Sequence, residues 1–180
     1  MTHAKPWVTV FLGLSLCGPA ALAAGNGKLE QDAKTALNRL YARIPAAKTL
    51  GAQAKATLVF PAIKKAGLGF GGQYGEGVLF RGGKVAARYS TAGASWGLQA
   101  GVQTYGYAMF FMTDAALAAL DNTQGFEVGV GPSVVVMDEG KARNLTTTTI
   151  QDDVYAFVFG QKGLMAGAGV QGNKITRLNK

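Results

Sequence analysis

The chain has 180 residues, 48% of them hydrophobic and only 16% charged, which is enough apolar material for one domain with a substantial core. The formal net charge of +8 points to anionic partners, and the 26 glycines are roughly twice the usual share of about 7%. Glycine without a three-residue period excludes collagen, and the Val, Leu, Phe and Tyr interleaved with it exclude simple disorder.

The chain opens with the layout of a secretory signal peptide: Lys5, the short apolar run Trp7 to Leu16, the Gly18-Pro19 break, then the small residues Ala21 and Ala23. The run is far shorter than the ~20 residues of a membrane span. Cleavage is expected near Ala23–Ala24, leaving one domain over 24–180 in the periplasm or cell envelope. Leu14-Ser15-Leu16-Cys17 loosely resembles a lipoprotein cleavage box, but Leu16 stands where that box needs a small residue, so anchoring through Cys17 is the lesser reading. Cys17 is the only cysteine and His3 the only histidine, and both leave with the leader. The remaining chain is thereby denied imidazole acid–base chemistry, the usual triads and nearly all zinc or copper sites. No catalytic activity, metal or cofactor is expected. An exported protein does not meet its own cell's nucleic acid. The basic charge therefore suits an anionic phospholipid membrane surface, with an envelope protein as the alternative partner.

Gly25 to Lys28 reads as a flexible leader. From Leu29 the apolar residues Ala33, Ala36, Leu37, Leu40, Tyr41 and Ile44 recur at helical spacing, with Lys34, Arg39 and Arg43 interspersed, and Pro45 marks a boundary. Glu30 and Asp32 suit the start of such a helix. It either docks its stripe on the domain or lies in a membrane interface. A second short helix is expected within Ala46–Thr57.

Lys55–Phe60 reads as a strand stopped by Pro61. Beyond Lys64-Lys65 the period becomes two. Leu68, Phe70 and Tyr74 alternate with Gly67, Gly69 and Gly71; the pattern returns over Gly93–Tyr105 and Gly125–Val136, and more briefly over Leu164–Val170. Glycines lining one face of several strands imply a strongly coiled sheet whose glycine face is crossed closely by another layer. The formal G-x-G-x-x-G matches at Gly67–Gly72 and Gly167–Gly172 lie inside this alternation and open no helix, so they are not dinucleotide fingerprints. Trp96 falls on the apolar face of its strand and reads as core.

Arg81-Gly82-Gly83-Lys84 is a hairpin turn between Val78–Phe80 and Val85–Ser90. Tyr105–Met112 is a strand, and Thr113–Leu120 a short helix with Thr113 as N-cap. Asp138–Asn144 is a polar loop. Tyr155–Phe159 is a strand ended by a turn at Gln161-Lys162-Gly163, and Lys174–Leu178 closes the sheet. The class is α+β: N-terminal helices packed with a coiled, glycine-rich antiparallel sheet of about nine strands, open to barrel-like closure. Asp138-Glu139 and Asp152-Asp153 are adjacent pairs that point apart on a strand, so they make poor catalytic dyads. Glu76, between two glycines, is either a constrained binding group or an exposed turn residue.

The segments "LVFPAIKKAGLGFGGQYGEGVL", "GKVAARYSTAGASWGLQAG", "FMTDAALAAL" and "FVFGQKGLMAG" resemble, in this order, the SYLF lipid-binding domain family over roughly Leu29 to Leu178. The resemblance implies a non-enzymatic lipid-binding domain with an N-terminal amphipathic helix at the membrane, here Leu29–Ile44. Family members linked to phosphoinositides and actin are eukaryotic. A chain with a leader looks like a bacterial exported member, for which only the anionic-lipid part carries over. The residues expected at lipid are Lys34, Arg39, Arg43, Lys64 and Lys65, with Leu37, Leu40 and Tyr41 as inserted apolar groups.

Overall fold

The computed structural model describes residues 19–121, 126–127, 132–137 and 150–178. Helix α1 spans Pro19–Arg43 and α2 spans Pro45–Gln53. They are followed by β1 (Ala56–Arg81), β2 (Lys84–Phe111), the short helix α3 (Asp114–Leu120), β3 (Phe126–Glu127), β4 (Val134–Met137) and β5 (Val154–Leu178). The sheet runs β1-β2-β5-β3, with β4 also paired to β5, and it curls into a half-barrel.

The class is α+β as expected, but the strand count is corrected. Five strands are described rather than about nine, because three of them are 25 to 28 residues long. Each contains several segments that the sequence separates by apparent stop signals. Pro61 does not end β1. It sits within a register shift between Phe60 and Ile63, on a strand paired along only one edge, where a missing N–H is tolerated. Likewise Gln161-Lys162-Gly163 is not a turn: β5 runs through it, with Gly160 and Gly163 at positive φ. The sheet is also mixed, since β4 pairs parallel to β5 from Val134↔Val154 to Met137↔Phe157.

Local signals held where they were strongest. Gly82 (φ 54°) and Gly83 (φ 75°) make the turn that joins β1 to β2, a left-handed pair that a two-residue hairpin needs. Thr113 caps α3, its Oγ1 accepting from the Ala116 N–H at 3.2 Å, and that hydroxyl donates to Asp153 at 3.0 Å. Asp153 also accepts from the backbone N–H and hydroxyl of Ser133, so it ties α3 to the entry of β4. The start of α1 differs from expectation. Gly25 to Lys28 are helical, and Glu30 and Asp32 lie well inside the helix. Glu30 instead pairs with the half-buried Arg88 of β2, while Asp32 pairs with Lys28 one turn away. Asp138-Glu139 and the loop to Asn144 lie outside the described residues.

One end of the sheet is buried on both faces. Along β1 and β2 the alternation sends Leu58, Phe60, Met109 and Phe111 to the inner face, where α3 adds Leu117 and Leu120. Val59, Phe80, Phe110 and Phe157 go to the outer face, where α1 and α2 cover them. Ala33, Ala36, Leu40 and Ile44 form the docked stripe of α1; Ala47 and Leu50 extend it in α2. Tyr41 stacks on Phe110 at 6.3 Å between ring centroids, and Phe110 meets Phe157 edge-on at 5.6 Å.

The long strands fold back on themselves. A Cβ on Gly77 would lie 2.8 Å from the Val59 carbonyl oxygen and 2.6 Å from the Phe60 ring, and one on Gly75 would lie 3.1 Å from the Ala62 carbonyl oxygen. The second half of β1 therefore crosses its own first half at a distance only glycine permits. The close crossing expected of the glycine face therefore falls at Gly75 and Gly77, not at the alternating glycines themselves, since Gly67 meets only its neighbours Phe70 and Gly71 and Gly69 faces open space. The glycine face is the inner one, and the apolar members of the alternation are turned outward.

Candidate functional site

That inversion creates the most distinctive surface of the molecule. Where β1, β2 and β5 bend, the outer face has no helix over it. Leu68 is 84% exposed, Phe70 74% and Val102 64%, with Tyr74 also exposed beside them. The strand registers arrange this crest in rows. Lys64, Thr104 and Lys162 form the first row across the three strands; Ala66, Val102 and Leu164 the next; then Leu68, Ala100 and Ala166; then Phe70, Trp96 and Val170. A row of Tyr74, Ala92 and Lys174 closes the far side, with Glu76 just beyond it. Between the two lysine-bearing rows the one charged residue of the three strands is Lys65, on the inner face. Lys64, Lys162 and Lys174 are exposed. The Tyr74 hydroxyl donates to Glu76 at 2.8 Å, which raises the phenol above its ordinary range, and Glu127 of β3 pairs in register with Lys174 at the end of that row.

The sequence-expected residues separate into two groups. Lys34, Arg39 and Arg43 are exposed on α1, while Leu37 and Tyr41 are half-buried. Leu40 is 1% exposed inside the core, so in this arrangement it has no surface to offer a bilayer. The apolar stripe of α1 is spent on the sheet. Lys34, Leu37 and Tyr41 line a cavity of about 470 Å³ closed by Phe80 and the Gly82-Gly83 turn. Burial pushes the Tyr41 phenol up there, and the neighbouring Thr57 offsets part of that rise. Lys64 and Lys65 belong to the other end of the molecule. Being adjacent on a strand they point to opposite faces: Lys64 outward at the crest margin, Lys65 inward.

On the inner face beneath the crest, β1, β2 and β5 enclose a second cavity of about 270 Å³. It shares no residue with the first. Gln73, 6% exposed, is fixed beside it by accepting from the Tyr105 hydroxyl at 2.8 Å and donating to Asn173. Sequence reading missed Leu68, Phe70 and Val102 as surface groups and missed the inner polar set altogether. The two-residue alternation marked both faces, but only the direction of curl says which is inside. Among the described residues there is no cluster of three carboxylate, His or Cys groups that could hold a metal ion. No described helix is long and apolar enough to cross a membrane.

Comparison with curated proteins returned no match. Residues 92–180, which hold most of β2 and everything after it, match the family model described as Ysc84: Las17-binding protein actin regulator. That model covers the strand registers of the crest on β2 and β5, and three of the four ordered motifs lie wholly or partly within it. Residues 92–180 of the chain belong to the SYLF family.

Proposed function

We propose that this domain is a non-enzymatic, peripheral binder of anionic membrane lipids in the bacterial cell envelope, and that the crest rather than α1 makes the apolar contact. One observation carries the reading: Leu68, Phe70 and Val102 stand exposed in strand registers bordered by the rows of Lys64, Lys162 and Lys174. Apolar groups of this size are each worth about 1.5–3 kcal/mol when moved out of water. Each lysine near an anionic leaflet adds ~1 kcal/mol. The two terms act together only if the groups share a face, as they do here. The exposed Lys34, Arg39 and Arg43 of α1 add long-range attraction without insertion. The signal-peptide pattern read in residues 1–23 supports delivery to the envelope.

The test is co-sedimentation of the protein with neutral phosphatidylcholine vesicles and with vesicles containing phosphatidylglycerol, at low and high salt. Binding is expected only to the anionic vesicles and should weaken with salt. Leu68→Ser/Phe70→Ser should abolish it, and Lys64→Glu should weaken it several-fold. Lys34→Glu/Arg39→Glu should weaken it less. If the crest variants bind as the wild type does while the α1 variants fail, the crest assignment is wrong and the helix is the contact. Absence of binding to any vesicle would favour a protein partner on the basic surface, in keeping with the protein-binding name of the matched family model.

A further inference from the structure

We propose that the cavity between α1, α2 and the β1–β2 turn binds a single-chain amphipathic carboxylate, with its head at Lys34 and its chain along α1. The site lies at the helix-covered end of the molecule and does not rest on the crest reading. Lys34, Leu37, Asn38 and Tyr41 line it from one face of α1, at three- and four-residue spacing. From Lys34 to Tyr41 this wall runs about 10 Å at ~1.5 Å per residue, a length that suits an extended chain. The volume of about 470 Å³ falls in the ordinary range of small-molecule sites.

Polar and apolar groups are sorted by depth. Lys34, Asn38, Gly82 and Gly83 are exposed at the mouth, whereas Leu37 and Tyr41 are half-buried and Phe80 is buried at the floor. The mouth is rich in donors. Its glycine N–H groups lie outside the β1–β2 ladder, whose last rung is Arg81↔Lys84. A Cβ on either glycine would meet nothing within 4 Å, so the turn leaves the mouth open. Lys34 makes no ion pair with a described residue, and Glu30, one turn before it, is spent on Arg88. No carboxylate is among the described lining residues. The floor is held in place. Tyr41 stacks on Phe110, and α2 passes it at Gly51, where any Cβ would collide with the phenol hydroxyl. The ring therefore does not swing in to fill the space. One cation over an apolar floor suits a monoanion with an apolar body, and such a ligand gains from both ends at once.

The test titrates decanoate, below its micelle concentration, into the protein and follows amide chemical shifts. Decanol and decyltrimethylammonium are run in parallel. Decanoate should bind saturably and move the resonances of Leu37, Thr57, Gly82 and Gly83, with decanol about tenfold weaker and the cation weaker still. Lys34→Met keeps most of the stem and removes the charge. It should weaken decanoate about tenfold, as for loss of a charge-assisted hydrogen bond, and leave decanol unchanged. Ala52→Trp, from an exposed position at the mouth, should block both ligands without removing a polar group. If Ala52→Trp disturbs folding, Lys34→Met at its exposed helix position decides alone. No saturable response to decanoate, or shifts confined to the crest, would overturn the site. Equal affinity for decanoate and decanol, or decanoate binding untouched by Lys34→Met, would overturn the carboxylate assignment.

Discussion

The outer face of one sheet is treated in two ways along the same strands. At the helix-covered end, Val59, Phe80, Phe110 and Phe157 lie under α1 and α2 and are almost wholly buried. Further along β1 and β2 the same face carries Leu68, Phe70 and Val102 into solvent. On this face both places carry apolar residues at every second position, although the covered end is apolar on its opposite face as well, as in Leu58-Val59-Phe60. The difference lies in what covers them, and the covering is set by a helix long enough for only one end. The same residue type is therefore structural at one end and available for binding at the other.

Substitutions should separate the two ends cleanly. The largest effect is expected at the covered end, where Phe110→Ala should cost about 3–5 kcal/mol in denaturant unfolding, since it empties space between Tyr41 and Phe157. Leu40→Ala should cost about 2–5 kcal/mol by the same measurement. A cost under 0.5 kcal/mol at Leu40 would mean that α1 is not firmly docked. Gly77→Ala should follow at about 1–3 kcal/mol, because backbone and not a flexible side chain blocks the new methyl. At the crest, Leu68→Ser should change stability by no more than about 0.5 kcal/mol, as for other exposed positions. A loss of 2 kcal/mol there would show that the crest is packed in solution and would break the contrast.

The smallest effect concerns acid. Hydrogen bonds from Thr113 and Ser133 hold the Asp153 carboxyl below its ordinary range. A lowered folded value means that its contribution is present above the unfolded value of ~3.9 and is lost as pH falls through the folded one. Asp153→Asn should flatten the acid limb of the stability curve below about pH 4 while leaving its slope near pH 7 unchanged. An unaltered acid limb would show that the ties to α3 and β4 do not depend on the charge.

Legibility followed the range of the interactions. The Gly82-Gly83 turn and the Thr113 cap were readable because a few adjacent residues decide them. The strand count was not, since Pro61 and the Gly160–Gly163 segment signal an end locally yet are absorbed as irregularities in continuous ladders. The docked stripe of α1 was legible as periodicity, and Lys34, Arg39 and Arg43 do fall on its exposed side. Its partner was not legible: Glu30 meets Arg88 from a strand far along the chain. The candidate surface was half visible. Sequence marked an apolar face and a glycine face, but curvature, a property of the whole sheet, decides which one meets water.

The folded-back strands also constrain the order of assembly. Ladder β1–β2 can zip from Arg81↔Lys84 at the turn, through Leu68↔Ala100, to Ala56↔Phe111 at the far end. Its first and last rungs then meet, because Phe80 and Val59 share the outer core under α1. The docking platform of the N-terminal helix does not exist until the ladder has closed over its full length. Loop-closure entropy grows with each rung while the reward of helix docking arrives only at the end. We therefore expect helix docking to follow the transition state: Leu40→Ala should chiefly speed unfolding, whereas substitutions beside the Gly82-Gly83 turn should chiefly slow folding. Stopped-flow chevrons with Leu40→Ala altering only the folding limb would sink this order.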